Sequence, residues 1–252
     1  MDIVQSVDRA LSIIEVLSEY YDGLGVTEIS EKVNLHKSTV YRLLTTLIYK
    51  GYVVQDVETS KYKITFKLFE LGSRKIENMD LLTASKPYTR ILMEKINEVV
   101  HLVVRDDNEI IYIDKVEADN TIRMASKIGK RSPLYCTATG KAILAYLPES
   151  KVAEIWDKSK IEKRTDNTIT NFDVLKAELA EIRKKGYAID NEENEIGVIC
   201  VGAPIFNRLG EIEGAISVSG PTFRITKDKI EAVAKEVKYY AELISREIGY
   251  YK

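Results

Sequence analysis

Apolar residues recur at helical spacing in the first fifty positions of the chain. In residues 37–49 they follow the i, i+3, i+4, i+7, i+8 pattern of an amphipathic helix. A shorter apolar pattern in residues 27–33 predicts a helix with Thr27 as its N-cap, and a turn at residues 34–36 separates the two. The apolar positions of residues 37–49 are Val40, Leu43, Leu44, Leu47 and Ile48.

A first helix is predicted upstream, where apolar residues again share one side. It ends at the breaker run 21–25, which contains two glycines. Three helices in this order, with a short turn before the third, are typical of a helix-turn-helix motif. The apolar positions of the first helix are Val7, Ala10, Leu11, Ile14 and Leu17.

A β-hairpin is predicted directly after the third helix. Gly51 ends the helix, and residues 52–55 and 61–64 flank the polar tip 56–60. A hairpin in this place is the wing of a winged helix, so residues 1–65 are predicted to form a winged helix-turn-helix DNA-binding domain.

The side of residues 37–49 opposite the leucines carries hydroxyl, aromatic and cationic side chains. Arginine can pair with guanine edges, and hydroxyl groups can reach phosphates or bases. An ordinary solvated surface is the alternative interpretation. The predicted DNA contacts of the third helix and the wing are Lys37, Ser38, Thr39, Tyr41, Arg42, Thr45, Lys61 and Lys63.

Local charge favours the DNA interpretation, although total charge does not. The chain has 37 Lys and Arg against 39 Asp and Glu, a formal net charge of −2. Residues 32–67 contain seven cationic and only two anionic side chains. Contact with phosphates requires a basic patch on one surface and not a basic protein.

The rest of the chain changes from helical to mixed α/β patterning. Residues 66–79 predict a linker helix, and residues 80–252 predict a second domain in which helices surround an antiparallel sheet, so the fold class is α+β with two domains. Its helices are predicted at 80–98, 137–146, 172–185 and 226–248, and its strands at 99–105, 110–116, 121–126, 187–190, 198–206 and 212–218.

Composition argues against several other classes of protein. The sequence has no run of about 18–20 apolar residues and no signal-peptide pattern at its start, so we expect a soluble, cytoplasmic protein. Cys136 and Cys200 lack CxxC spacing, and with only His36 and His101 beside them we expect neither a metal nor a cofactor. An enzyme with Cys200 as nucleophile and His101 as base stays a weaker alternative, as does a redox pair of the two cysteines.

Five segments together resemble the IclR-type (isocitrate lyase regulator) bacterial transcriptional regulators over essentially the full length. They are VQSVDRAL at 4–11, KSTVYRLL at 37–44, SPLYCTATGKA at 132–142, EIGVICVGAP at 195–204 and SVSGP at 217–221. The resemblance implies a winged helix, a linker helix and a GAF-like effector-binding domain, with dimers or dimers of dimers on palindromic operators. His36 stands where Pro is common in such regulators, and Tyr135 where His is common.

A ligand pocket is predicted in the second domain. Small residues at 136–140 begin a helix, where free backbone N–H groups can receive a ligand carboxylate, although tight packing is an equal alternative. Ser217 and Ser219 lie two apart on a strand and share a face. Met124 and Val198 are predicted as apolar lining, with core packing as the alternative. The resemblance implies that the pocket is lined by Ala138, Thr139, Asp190, Cys200, Ser217 and Ser219.

These observations predict a sequence-specific DNA-binding regulator, most simply a repressor, controlled by a small organic (keto- or sugar-) acid. Asp190 would accept hydrogen bonds from ligand hydroxyls and would repel a nearby carboxylate, which favours a hydroxylated acid. The expected partners are double-stranded DNA with a pseudo-palindromic operator and further copies of the chain. The alternatives are an activator of a catabolic operon, a protein-interaction module and the Cys200 enzyme.

Overall fold

The computed structural model describes residues 3–77, 80–121 and 124–251, and it divides into two compact units. The first is Met1–Asn78 and the second is Met79–Lys252. Within the described part of the chain, every helix is too short or too polar to cross a lipid bilayer.

The N-terminal unit is a three-helix motif followed by a hairpin and a fourth helix. Its helices are α1 (Gln5–Ser18), α2 (Val26–Lys32), α3 (Lys37–Tyr49) and α4 (Lys67–Glu77), and its strands are β1 (Val53–Gln55) and β2 (Tyr62–Ile64). The two strands pair antiparallel, with Val54 opposite Lys63. A single apolar core joins α1, α2, α3 and the hairpin. It contains Ile13, Leu17, Ile29, Val40, Leu44, Leu47 and Val53.

Three sequence predictions for this unit need correction. Helix α2 begins at Val26 after Gly25, and Thr27 is not its N-cap; the Gly25 N–H donates to Glu28 Oε2 at 2.7 Å. Ile48 is 40% exposed, and Val7 and Leu11 are both more than half exposed. In so small a unit, the other elements cover only a narrow strip of each helix, so the outer positions of a wide apolar stripe stay uncovered.

The C-terminal unit is built on one six-stranded antiparallel sheet in the order β5-β4-β3-β8-β7-β6. The strands are β3 (Val99–Asp106), β4 (Glu109–Val116), β5 (Arg131–Pro133), β6 (Ala188–Asn191), β7 (Val198–Phe206) and β8 (Ile212–Pro221). The helices are α5 (Asp80–Ile96), α6 (Ala138–Leu144), α7 (Glu149–Lys158), α8 (Phe172–Lys185) and α9 (Ile230–Glu247), which a 3-10 turn (Lys227–Lys229) precedes.

Alternation along the strands separates two faces of this sheet. One face packs against α5 and α9 through apolar side chains such as Val100, Val201 and Val218. The opposite face packs against α6, α7 and α8 at Val103 and Ala215. The same face also carries the polar residues of the predicted pocket, whose arrangement is given below.

These elements confirm the predicted α+β class with a winged helix-turn-helix unit. The predicted strand at 121–126 is wrong for residues 121 and 124–126, which are in no strand, while residues 122 and 123 lie outside the described residues. Sequence patterns missed the short edge strand β5 and the helix α7.

Candidate DNA interface and effector pocket

The polar face of α3 points to solvent. It comprises Lys37, Ser38, Thr39, Tyr41, Arg42 and Thr45. Thr39 is half-buried, and the other five side chains are exposed. Val40, Leu44 and Leu47 on the opposite side are buried in the unit's core and hold the helix in place. The predicted separation between an apolar anchor and a polar surface is therefore present in the fold.

The side chains of this face remain available to bind DNA. Thr45 Oγ1 donates to the Tyr41 carbonyl at 2.9 Å, and Thr46 Oγ1 donates to the Arg42 carbonyl at 3.2 Å. Both hydroxyl oxygens keep acceptor capacity. Neither Lys37 nor Arg42 forms an ion pair with any other described residue. Thr46, which the sequence reasoning left out, is as exposed as Thr45 and adds a hydroxyl to this surface.

The two predicted wing contacts differ in their surroundings. Lys63 Nζ lies 3.6 Å from Asp56 Oδ2, whereas Lys61 has no ion-pair partner among the residues the structure describes. Asp56 Oδ1 also accepts from the backbone N–H groups of Thr59 and Glu58, which shapes the hairpin tip. These hydrogen bonds, led by that from Thr59, and the charge of Lys63 lower the pKa of Asp56. Lys61 is thus the freer cation of the wing.

Strand register brings the predicted pocket residues into two adjacent rows on one face of the sheet. Asp190 lies opposite Cys200, and Cys200 lies opposite Ser219. In the next row, Gly202 and His101 both lie opposite Ser217. Directly opposed residues in antiparallel strands share a face. We call His101, Asp190, Cys200, Ser217 and Ser219 the pocket wall.

The start of α6 lies directly over this wall because Gly202 has no side chain. A Cβ atom at Gly202 would come within 2.9 Å of the Ala138 carbonyl carbon and 3.0 Å of the Thr139 nitrogen. Thr137 caps the helix by accepting from the Gly140 N–H at 3.2 Å. The backbone N–H groups of Ala138 and Thr139 donate to no group in the described part of the chain.

Three side-chain atoms around this helix start also lack a hydrogen-bond partner among the described residues. They are Thr139 Oγ1, Ser217 Oγ and Asp190 Oδ2; the other oxygen of Asp190 accepts from the Glu193 and Asn194 N–H groups. All three residues are almost fully buried. Since buried polar groups are paired as a rule, this cluster marks a place suited to a polar ligand.

Two predicted lining residues are less clearly placed. Val198 opens β7 and alternates with Cys200 and Gly202, so it belongs to the same side of the strand. Met124 is half-buried, and its carbonyl accepts from Lys115 Nζ at 2.9 Å. Both stay predictions as ligand contacts.

Burial shifts the pKa values of the ionisable groups in this region toward their neutral forms. Desolvation raises the pKa of Asp190 to about 7, although the N–H groups of Glu193 and Asn194 oppose this shift. Desolvation likewise raises the pKa of Tyr112 and of Cys136 to about 12 each. It lowers the pKa of His101 to about 3. His101, Tyr112 and Cys136 are therefore uncharged near neutral pH, whereas Asp190 changes its charge close to that pH.

His101 is the main pocket residue that sequence reasoning did not assign to the site. Its Nδ1 lies 3.2 Å from Ser219 Oγ, its Nε2 lies 2.6 Å from Ser126 Oγ, and its ring packs edge-on against Tyr112 at 5.0 Å. Its place in β3, two residues from Val99 and two from Val103, was a signal that it shares their face. The sequence does not show which strands pair with β3.

A buried ion pair supports the other side of the pocket and was also missed. Lys141 on α6 is fully buried, and its Nζ donates to Glu193 and, at 3.3 Å, to Glu178. The second oxygen of Glu193 is buried without a hydrogen-bond partner in the described chain. Because Glu193 follows Asp190 in the same turn, Lys141 ties α6 to the segment that positions Asp190.

The geometry does not support Cys200 as a nucleophile. Burial, followed by the nearby charge of Asp190, raises the pKa of its thiol well above the ordinary value, so the reactive thiolate is disfavoured. His101 contacts two serine hydroxyls, and both cysteines are free thiols. Among the described residues, no three His, Cys, Asp or Glu side chains form a group that could hold a metal ion.

Both units of the chain match known protein families. Residues 6–57 match the IclR helix-turn-helix domain, and residues 73–246 match the C-terminal domain of the bacterial transcriptional regulator IclR. The chain is 38% identical over 250 residues to the HTH-type transcriptional regulator KdgR of Escherichia coli (strain K12), covering 99% of this chain and 95% of that protein. It is 37% identical over 229 residues to the transcriptional repressor IclR of the same organism, covering 90% and 84% of the two chains.

A solved structure extends this similarity to three dimensions. The crystal structure of the Thermotoga maritima IclR superposes with a TM-score of 0.85 at 39% identity, covering 98% of this chain and 99% of that chain. These relatives are named transcriptional regulators and not enzymes. With winged-helix and C-terminal domain models matched over most of its length, the chain belongs to the IclR family of DNA-binding transcriptional regulators.

Proposed function

We propose that this regulator is a repressor whose affinity for its operator changes when a small keto- or sugar acid binds the C-terminal unit. The observation that carries the proposal is the group of polar atoms around the start of α6 that belong to nearly buried residues and have no hydrogen-bond partner among the described residues. A ligand that satisfies them gains hydrogen bonds that these atoms do not make with other described residues. They belong to Ala138, Thr139, Asp190 and Ser217.

The chemistry of these atoms favours an acid that also carries hydroxyl or keto groups. The Ala138 and Thr139 N–H groups and the Thr139 and Ser217 hydroxyls can all donate to carboxylate or carbonyl oxygens. Helix α6 has only seven residues, so the free N–H groups matter more than a helix dipole. Asp190 Oδ2 can accept from a ligand hydroxyl at the other end.

Control of DNA binding requires that the acid bind two states of the protein unequally. An effector with equal affinity for the DNA-competent and DNA-incompetent states would shift nothing. Repression is proposed because the similar IclR of Escherichia coli is named a repressor. An acid that prefers the DNA-incompetent state then relieves repression. As a DNA-binding regulator, the protein would act in the cytoplasm.

An exposed apolar stripe on the N-terminal unit supports assembly into homodimers, or dimers of dimers. Ile3, Val7 and Leu11 recur at i, i+4 spacing from just before α1 into its first half, Val4 lies next to Ile3, and each of the four is at least 53% exposed. A continuous apolar strip on a small soluble unit is typical of an interaction surface. Two copies would present two α3 helices to successive major grooves, about 34–36 Å apart on a pseudo-palindrome.

Operator binding with and without candidate acids tests the proposal. Fluorescence anisotropy on the DNA upstream of this protein's own gene should show tight binding that a keto- or sugar acid weakens, while the neutral amide of the same acid has little effect. Ser217→Ala should reduce the response to acid, and Ser150→Ala, an exposed serine on α7, should not.

Three outcomes would count against parts of this proposal. Release of DNA by cationic or neutral compounds alone would refute an acidic effector. Tighter binding with acid, together with increased transcription in vitro, would show an activator. A monomer at all concentrations on DNA would refute the dimer.

A further inference from the structure

His101 is buried between two serine hydroxyls on opposite sides of its ring. Ser219 belongs to the pocket wall, whereas Ser126 belongs to the segment that precedes β5. A neutral imidazole has one N–H donor and one acceptor nitrogen. It must therefore donate to one of these serines and accept from the other, and the choice decides what Ser219 can offer a ligand.

The two distances indicate the direction. Hydroxyl donors make shorter hydrogen bonds than N–H donors when both bond to oxygen, with typical separations of about 2.7–2.8 Å for O–H···O and about 2.9–3.0 Å for N–H···O. Ser126 Oγ is 2.6 Å from Nε2, and Ser219 Oγ is 3.2 Å from Nδ1. The short contact fits a hydroxyl that donates to Nε2. The long contact fits an Nδ1–H that donates to Ser219.

The surroundings hold Ser126 in place and keep the ring neutral. Lys115 Nζ donates to the Ser126 and Met124 carbonyls at 2.8 and 2.9 Å and pairs with Glu117 at 2.6 Å. Burial and then the positive charge of Lys115 lower the pKa of His101 to about 3. The ring therefore carries a single proton throughout the physiological range.

An Nδ1–H donor leaves the Ser219 hydroxyl proton available to the Cys200 sulfur or to a ligand. Ser219 lies opposite Cys200, but a thiol sulfur is a weak acceptor. A carboxylate or keto oxygen of a ligand would be a much stronger acceptor for the Ser219 hydroxyl than this sulfur. The opposite tautomer would require Ser219 to donate to His101 and would leave only acceptor capacity toward the ligand.

We propose that His101 is a positioning residue that holds Ser219 as a hydrogen-bond donor, so that the pocket selects a ligand with an acceptor oxygen at this point. The inference deepens the proposed function and rests on it. Ser126 donates to His101, His101 donates to Ser219, and Ser219 donates to the effector.

Histidine nitrogen NMR on the full-length protein tests the direction without any ligand. The chain has two histidines, so ring-labelled protein gives two spin systems, and His36→Gln assigns them. We expect His101 in the Nδ1–H form, with no change between pH 5.5 and 8. The Nε2–H form, a mixture of both forms or a protonated ring would overturn the proposal.

Ligand affinity tests the consequence for Ser219. Binding of the acid that releases operator DNA should weaken about tenfold in His101→Phe, which keeps a ring and loses both nitrogens. His101→Asn, whose amide nitrogen can still donate to Ser219, should recover most of this loss. In a Ser219→Ala background, His101→Phe should have no further effect, because a positioning residue acts only through its partner.

The outcomes separate this inference from the proposed function. Undiminished acid binding in His101→Phe, or equal losses with and without Ser219, would refute the positioning role. If the native protein binds no acid while His101 holds the Nδ1–H form, the effector class is wrong and the donor assignment of Ser219 stands.

Discussion

The polar face of α3 and the pocket wall are both proposed to meet negatively charged ligands, yet they are built in opposite ways. The face of α3 exposes full charges, such as that of Arg42, to solvent. The pocket wall buries neutral groups, among them His101 and the serines beside it. The first site would use long-range attraction, and the second would use short-range hydrogen bonding.

The difference follows from the size of each ligand. DNA is a long polyanion that cannot be enclosed, and exposed cations attract it over distances that salt can screen. A small acid can be enclosed, and buried donors with no other partner bind it without the cost of burying several charges. Mutations should therefore have salt-dependent effects in α3 and salt-independent effects in the pocket.

The largest expected effect is on stability, where a buried charge is removed. Lys141→Met leaves Glu193 without its counter-ion in the interior and should lower the free energy of unfolding by ~3–5 kcal/mol. Lys151→Met, which breaks the exposed pair with Glu154, should lower it much less, because solvent screens an exposed pair. Urea denaturation followed by fluorescence of Trp156, the single tryptophan, measures both. Similar losses in the two variants would contradict the contrast between buried and exposed charge.

The next largest effect is on operator recognition. Arg42→Ala should cost ~1–3 kcal/mol of operator binding and relax the sequence preference, because Arg42 is proposed to contact base edges. Its acid affinity should not change. Arg90→Ala on α5, which breaks only an exposed pair with Glu94, is the matched control. Unchanged operator affinity in Arg42→Ala would show that another surface reads the DNA.

Acid binding should depend on pH through Asp190. Burial raises its pKa to about 7, so the carboxyl is protonated below that pH and ionised above it. Ionisation places a negative charge beside an anionic ligand, so affinity should fall as pH rises through 7, by at most about tenfold per pH unit. Calorimetry on the native protein and on Asp190→Asn should show that the variant loses this dependence. A flat native profile would place the ligand carboxylate far from Asp190.

The smallest effects are expected in the wing. Lys61→Ala should weaken binding to all DNA sequences alike and reduce the slope of log affinity against log salt by about 1. Lys63→Ala should do less, because Lys63 already pairs with Asp56. Titrations at several salt concentrations measure these slopes. A larger effect from Lys63 would indicate that its pair with Asp56 opens on DNA.

The DNA-binding unit was largely predictable because its signals are local. The 3.6-residue spacing of Val40, Leu44 and Leu47 alone gives the inner side of α3, and the outer side follows. The exceptions were end effects. Glu28 accepts from the Gly25 N–H, so Gly25 is the N-cap and α2 begins at Val26, one residue before the predicted cap. Ile48 lies at the margin of α3 and is 40% exposed.

The pocket was only partly predictable because it depends on strand pairing across long sequence separations. The spacing of Ser217 and Ser219, two residues apart on one strand, predicts that they share a face, and the family resemblance implies Asp190 and Cys200 as further pocket residues. That His101 lies opposite Ser217 follows from the pairing of β3 with β8, more than a hundred residues apart. The partners of Lys141 were equally unreadable, since Glu178 and Glu193 approach it from separate elements.

Sequence by itself determined the order of most elements, the apolar side of helices such as α3 and the family, because these depend on the spacing of residues that are neighbours in the chain. Tertiary structure alone decided which polar groups are buried together, which of them lack a partner and which are held neutral. Burial and hydrogen bonding depend on residues that meet only when the sheet closes, and they give His101, Asp190 and Lys141 properties that their sequence neighbours do not reveal.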